Sequence, residues 1–228
     1  MSSGGPQDRG SDNEREMAPE ETASQPQSVR RRPGPLLVGL ACLSLGLVIG
    51  WTASVVFPKG YRVPSAQDLE KLCATAPDVE FRKWEYIVLH HSAFDIGDAA
   101  AIDNYHRRGQ GWKNGLGYDF VIGNGSLSGN GEIGAGDRWA RQLDGAHCRA
   151  DNMNQKAIGI CFIGNFDDRH GPSEQQIHSG LALVRWLVTR FAIPPERILG
   201  HGQVDGAGTK CPGRLFPMSL FRAAAQEP

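Results

Sequence analysis

Two histidine positions and one cysteine stand where a folded chain can bring imidazole and thiolate together. His201 and Cys211 are ten positions apart in a glycine-rich stretch, Gly200 to Gly213, that follows the apolar pair Ile198-Leu199. Far upstream, the apolar run Tyr86-Ile87-Val88-Leu89 ends in His90 and His91. Imidazole nitrogen and thiolate sulfur are good zinc ligands, and three protein ligands with a fourth position left open describe a hydrolytic centre rather than a closed structural one. Two strand ends that delivered two imidazoles and one thiolate to a common point would make such a centre.

Seven histidines are present in all. His170 lies in the polar turn Asp167-Asp168-Arg169-His170-Gly171 and His178 among polar neighbours on an expected helix, so both read as surface imidazoles. His106, before Gly109 and Trp112, suits packing or capping at a helix end. His90, His147 and His201 differ, because each falls at a strand end or in a glycine-rich loop, where a side chain can reach a cleft.

These residues must be positioned by a domain, and the length allows one. The chain has 228 residues, 40% of them hydrophobic, and a net charge of -1. One well-buried domain with appendages is expected. Near-neutral charge gives no basic stripe of the kind that binds nucleic acid by releasing counterions, so that partner class is set aside. Five cysteines, Cys42, Cys73, Cys148, Cys161 and Cys211, are scattered and odd in number. They do not read as a disulfide framework; Cys73 with Cys148 is the one pairing considered.

Three zones precede or make up the domain. Residues 1–33, rich in Ser, Gly, Pro, Gln and charges of both signs, bury too little to offset ordering and are expected to be a disordered cytoplasmic tail. After Arg30-Arg31-Arg32, the stretch from Pro33 to Pro58 carries no charge. As a helix it reaches roughly 39 Å, enough for a hydrocarbon core of about 30 Å. A membrane span over 34–58 is therefore expected, and the arginine cluster orients its N-terminus to the cytoplasm and the rest of the chain outside it, in the periplasm or cell envelope. A cleaved secretory signal ending near Thr52-Ala53-Ser54 is the competing reading, and it too exports the domain.

Residues 59–83 read as a linker carrying a short helix over Ser65 to Ala74, with the domain at 84–228. Apolar runs at 85–90, 118–123 and 157–163 have strand length and polar or glycine boundaries. Asp98 to Arg108 reads as helix, and Ser173-Glu174-Gln175-Gln176 opens an amphipathic helix through Phe191 with a capping box, stopped by Pro194-Pro195. A last helix follows Pro217. The pattern is α/β, with a mixed central sheet flanked by helices and one transmembrane helix before it.

Five stretches together resemble the zinc-dependent N-acetylmuramoyl-L-alanine amidases of the bacteriophage-lysozyme type and the related peptidoglycan recognition proteins. They are Ile87 to Ala93, Gly117 to Gly123, Gly145-Ala146-His147, Ala157 to Asn165, and Gly200-His201 through Thr209-Lys210-Cys211-Pro212-Gly213, in the family's order. The resemblance covers residues 84 to about 220. It implies a zinc cofactor held by His90, His201 and Cys211, with His91 the alternative to His90, since successive strand side chains point to opposite faces. It further implies Tyr118 beside the metal, Thr209 or Lys210 polarising the reacting carbonyl, His147 bordering the substrate groove, and Asn152 or Asn154 touching peptide or sugar.

The activity so implied is zinc-dependent hydrolysis of the amide between N-acetylmuramic acid and L-alanine in peptidoglycan or muropeptides, in which zinc lowers the pKa of water from about 15.7 toward 7. The alternative is a module that binds peptidoglycan without cutting it. Two departures from the family pattern stand out: Cys161 occupies a position where some relatives carry a catalytic glutamate, and Gly111 to Gly117 is one residue longer than usual before the tyrosine.

Overall fold

The computed structural model describes residues 60–226. The expected tail at 1–33 and the expected span at 34–58 lie outside the described residues. Among those described, no helix is long and apolar enough to cross a membrane.

The first element is helix α1, Ala66–Leu72, opened by a capping box in which Ser65 and Asp68 satisfy each other's backbone amides. It is followed by strand β1, Tyr86–His91; helix α2, Ala99–Arg108, capped by Asp98; strands β2, Phe120–Ile122, and β3, Ile133–Ala135; and short helices α3, Asp137–Ala140, and α4, Met153–Lys156. Strand β4, Ala157–Phe162, helix α5, Glu174–Phe191, strand β5, Ile198–Gly200, and helix α6, Met218–Ala224, complete the chain. Ser173 and Gln176 form the capping box expected at the start of α5.

Five strands form one sheet in the order β3-β2-β4-β1-β5. All neighbours are parallel except β2 and β3, which are antiparallel. Strands covered on both faces read as unbroken apolar runs, which is why Tyr86 to Leu89 and Ala157 to Phe162 lack polar alternation.

Alternation still decides which face each side chain takes. Ile87 and Leu89 of β1, Ile158, Ile160 and Phe162 of β4, and Ile198 of β5 join Leu183, Val184 and Leu187 of α5, Phe221 of α6 and Leu69 of α1 in the main core. Burial of each such side chain is worth about 1.5–3 kcal/mol, so this layer fixes the sheet against the helices. On the other face, Val88 packs with Cys148, Met153 and Val204, and Val121 with Cys161 and Ile163. His90 belongs to that second face, in register with Cys161 of β4.

Two expectations change. The stretch at 59–83, read as a linker, is packed into the domain from Tyr61 onward: the Tyr61 hydroxyl donates to the Gln175 carbonyl at 3.0 Å, and Leu69 and Cys73 are fully buried. The short helix expected within this stretch forms as α1, and its Leu69 reaches the main core. The considered pairing of Cys73 with Cys148 is also corrected, since no disulfide joins them. The sheet separates the two, Cys73 lying in the core beneath the helices and Cys148 in the cluster on the opposite face.

Candidate metal centre

Parallel strands align their C-terminal ends, and β1 and β5 are neighbours whose register pairs Leu89 with Gly200. His90 therefore ends one strand beside the point where His201 begins the turn after the next, and their rings lie 4.6 Å apart between centroids. The chain after His201 makes a single turn of 3-10 helix, His201–Gln203, and returns so that the Gly202 amide donates to the Cys211 carbonyl at 2.6 Å. Only glycine fits there, because a Cβ on residue 202 would lie 2.3 Å from the Thr209 carbonyl oxygen. That docking carries Cys211 to the first imidazole: its Sγ lies 3.7 Å from His90 Nδ1.

One donor atom from each of His90, His201 and Cys211 falls within 4.8 Å of the others. Around a tetrahedral zinc with bonds of about 2.0–2.3 Å, ligand atoms stand roughly 3.3–3.6 Å apart, so only small closure separates this set from a coordination shell. The chemistry of the donors fits as well. Burial, together with the neighbouring His147, His201 and His91, holds the His90 pKa well below its ordinary value, and burial pushes that of His201 down to about 4. Both rings are then neutral at physiological pH, the form that ligates a metal without first losing a proton. The His91 backbone N–H donates to Cys211 Sγ at 3.4 Å, a contact that favours the thiolate.

Of the adjacent pair, His90 joins this cluster. His91 points through the other face, where its Nδ1 accepts the Phe166 N–H and its ring packs 6.0 Å from that of Phe166. Tyr118 is half-buried, its ring 5.2 Å from that of His90. Its hydroxyl bonds toward Cys161, whose thiol is pushed well above its ordinary pKa by burial and next by the nearby Cys211. Thr209 is half-buried, and its Oγ1 accepts the Cys211 N–H at 3.2 Å, which leaves the hydroxyl proton to point elsewhere. Lys210 is exposed.

The residues expected along the substrate groove divide. His147 is buried behind His90, with Nδ1 3.0 Å from His90 Nε2 and Nε2 3.2 Å from the Ala157 carbonyl, so both ring nitrogens face protein rather than an open groove. Asn154 is half-buried, and its Oδ1 accepts the backbone N–H groups of His147 and Cys148 at 2.8 and 2.7 Å. It shapes the loop that carries His147. Asn152 is exposed, in a left-handed conformation with φ 56°.

One participant was not singled out beforehand. Asp119, next to Tyr118, is fully buried; its Oδ2 accepts the Gly159 N–H at 2.7 Å, and Oδ1 has no hydrogen-bond partner. Burial pushes its pKa up to about 7, against the lowering effect of the Gly159 bond, Arg138 and Arg82. An acidic residue inside the apolar run Phe120-Val121-Ile122 and its approach was the available signal.

Comparison with known proteins follows the same outline. Residues 80–214 match the family described as Amidase_2, N-acetylmuramoyl-L-alanine amidase. Peptidoglycan-recognition protein SC2 of Drosophila melanogaster is 36% identical over 137 residues, 56% of this chain and 67% of that protein. Among solved structures, N-acetylmuramoyl-L-alanine amidase LysC from Clostridium intestinale URNW superposes with TM-score 0.53 at 31% identity, covering 63% of this chain and 86% of that one. The endolysin amidase LysCS from the same organism gives TM-score 0.53 at 28% identity, covering 67% and 98%. A matched stretch that takes in the whole sheet and reaches past both histidines and the cysteine settles the family: the chain belongs to the N-acetylmuramoyl-L-alanine amidase family.

Proposed function

We propose that this protein is a zinc-dependent N-acetylmuramoyl-L-alanine amidase that cleaves the amide joining N-acetylmuramic acid to L-alanine in peptidoglycan or muropeptides. The observation that carries the reading is the convergence of His90, from the end of β1, with His201 and Cys211, from the stretch after β5, with a tyrosine ring beside them. A purely structural zinc has four protein ligands. Three ligand side chains leave one position for chemistry.

His90, His201 and Cys211 hold the ion. A zinc ion there supplies Lewis acidity, which activates water near neutral pH and polarises an amide carbonyl. The protein's own groups do the rest. Tyr118 presents a hydroxyl at the same face, suited to donate a hydrogen bond to the oxyanion that develops when an amide is attacked. Thr209, its oxygen already anchored by the Cys211 N–H, has its proton free for the same task. Lys210 is the reserve for that role. Cys161 does not replace a catalytic glutamate, because a buried thiol with a raised pKa neither carries charge nor accepts a proton readily. Tyr118 is the better proton relay. Asn152, exposed beside the His147 loop, is the residue placed to meet peptide or sugar.

The proposal places this domain outside the cytoplasm, tethered by the uncharged stretch 34–58. The family resemblance to peptidoglycan-recognition proteins supports the same substrate class. The test is release of stem peptide from muropeptides by the chain from residue 60, with and without chelator. Zinc-dependent release is the expected result. Binding without release makes the protein a peptidoglycan-binding module, and release that survives complete metal removal overturns the mechanism.

A further inference from the structure

The strongest feature left unused by the reaction is a buried histidine whose surroundings leave it one orientation. His147 is 5% exposed and stands behind the candidate ligand His90, their rings 5.0 Å apart and nearly perpendicular, at 80°. Its ring lies in a slot on the sheet: a Cβ added at Gly159 would come within 2.4 Å of the imidazole, and one at Gly145 within 2.5 Å. Asn154 holds the backbone on either side of the slot by accepting the His147 and Cys148 N–H groups. Asp119 anchors Gly159 beneath it through Oδ2. A side chain confined this fully, on a loop, performs a task more specific than filling space.

Proton bookkeeping identifies the task. His147 is buried and its two nitrogens face an imidazole and a backbone carbonyl, not a carboxylate, so the ring is neutral and carries one proton. Its Nε2 lies 3.2 Å from the Ala157 carbonyl, and a carbonyl only accepts; the proton is therefore on Nε2. Nδ1 is left as a bare acceptor, 3.0 Å from His90 Nε2. His90 must then donate from Nε2, which strips its own Nδ1 of hydrogen, and Nδ1 is the atom facing Cys211 Sγ. Each link follows from the one before, starting at a backbone carbonyl that cannot change role.

We propose that His147 is a positioning residue for zinc: the chain Ala157 carbonyl, His147, His90 fixes His90 as the tautomer whose Nδ1 lone pair points into the metal centre, before any metal arrives. Partners of this kind orient a ligand ring and raise its basicity, and their loss typically costs 10–100-fold in metal affinity. The usual partner is a carboxylate or carbonyl; here a second imidazole passes the carbonyl's preference inward. A carboxylate at that place would add a buried charge, whereas a neutral imidazole adds none.

This inference rests on the zinc reading above, and its test separates the two. Two variants of the full chain split the functions of the ring. His147→Gln retains a donor near the Nε2 position for Ala157 but offers no acceptor at Nδ1. His147→Asn restores an acceptor near Nδ1 and gives up the bond to Ala157. Zinc affinity, measured by competition with a chromophoric chelator, is expected to fall about 10–100-fold in His147→Gln and to recover in large part in His147→Asn. In metal-free wild type, nitrogen NMR of histidine-labelled protein is expected to show His90 protonated on Nε2 and bare on Nδ1.

Equal zinc affinity in wild type and His147→Gln overturns the proposal, as does a His90 proton on Nδ1 in the metal-free chain. Wild type that binds no zinc refutes the metal reading instead, and the position of the His90 proton then decides the hydrogen-bond chain alone. That last measurement needs no variant to fold.

Discussion

His90 Nδ1 lies 3.7 Å from Cys211 Sγ although 121 positions separate the two residues. The first is delivered by a buried parallel strand and the second by a surface loop, so the pair exists only in the folded domain. Replacing sulfur by oxygen keeps the size and removes a soft, readily ionised ligand. Cys211→Ser is expected to lower zinc affinity by more than the roughly 100-fold that marks loss of an outer partner, and to abolish muropeptide cleavage while leaving the fold intact. Zinc content after dialysis against a weak chelator, read beside far-ultraviolet circular dichroism, checks both halves; full zinc occupancy in the variant excludes Cys211 as a ligand.

The loop that carries Cys211 depends on Gly202 in turn. A methyl group there meets the Thr209 carbonyl oxygen at 2.3 Å, and backbone on both sides leaves little room to yield. Gly202→Ala is expected to destabilise the domain by about 1–3 kcal/mol, the usual cost of overpacking, and to displace Thr209 and Cys211 together. Denaturant unfolding gives the first quantity and zinc affinity the second. An alanine variant with wild-type values for both disproves the close docking.

Tyr118 and Cys161 face each other near the centre, yet they are expected to respond differently. Tyr118→Phe removes one hydroxyl and keeps the ring packed 5.2 Å from His90. Its turnover should drop about 10²–10⁴-fold, the span of general acid–base contributions, with zinc content unchanged. Cys161→Ala removes a buried neutral thiol, and a loss of about 1 kcal/mol in stability with near-normal turnover is expected. Steady-state cleavage of a defined muropeptide distinguishes them, and a catalytic defect in Cys161→Ala equal to that of Tyr118→Phe contradicts the assignment.

Much of this arrangement was legible because strand chemistry repeats locally. The run from Tyr86 to Leu89 and the run from Ala157 to Phe162 are apolar and short, and they emerged in two adjacent inner strands, β1 and β4. The capping boxes at Ser65 and Ser173 mark helix starts in four residues each. By contrast, β3 contains only Ile133-Gly134-Ala135 and is held by pairing with β2, a long-range contact with no local signature. His147 illustrates the same limit at the site. Its glycine-rich setting pointed to a cleft, but only the packed structure shows Ala157 and His90 claiming its two nitrogens. Asn154 likewise read as a groove residue, and its commitment to two backbone amides appears only once the loop closes.

Topology is testable without the active site. Arg30, Arg31 and Arg32 precede the uncharged stretch that ends at Pro58, while Lys59 and Arg62 are the nearest cations after it. By the positive-inside tendency, the proposed orientation puts the N-terminus of the segment in the cytoplasm. An alkaline phosphatase reporter fused after residue 60 is expected to be active and a fluorescent cytoplasmic reporter at the same point dark. The reverse pattern inverts the orientation, and a processed, freely released reporter replaces the anchor by a cleaved signal.

Asp119 makes the pH dependence of stability separable from that of the histidines. Burial raises its pKa to about 7 in the folded protein, whereas an unfolded aspartate titrates near 3.9. Between those values the folded state binds more protons than the unfolded state, so this carboxyl's contribution is full below about pH 4 and is lost as pH rises through about 7. The buried histidines have the opposite sign, because their folded pKa values are depressed: His147 and His201 cost stability as pH falls below about 6.5 toward 3 to 4. Asp119→Asn keeps a carbonyl oxygen for the Gly159 N–H and removes only the titration. With metal chelated throughout, the histidine terms cancel in the comparison of the two proteins. Urea midpoints measured from pH 4 to 8 are expected to show wild type losing stability relative to Asp119→Asn across the window from 4 to 7 and holding a constant difference above it. A difference that does not change with pH would mean that Asp119 is ionised throughout, its charge met by Arg138 and Arg82 more fully than its burial allows.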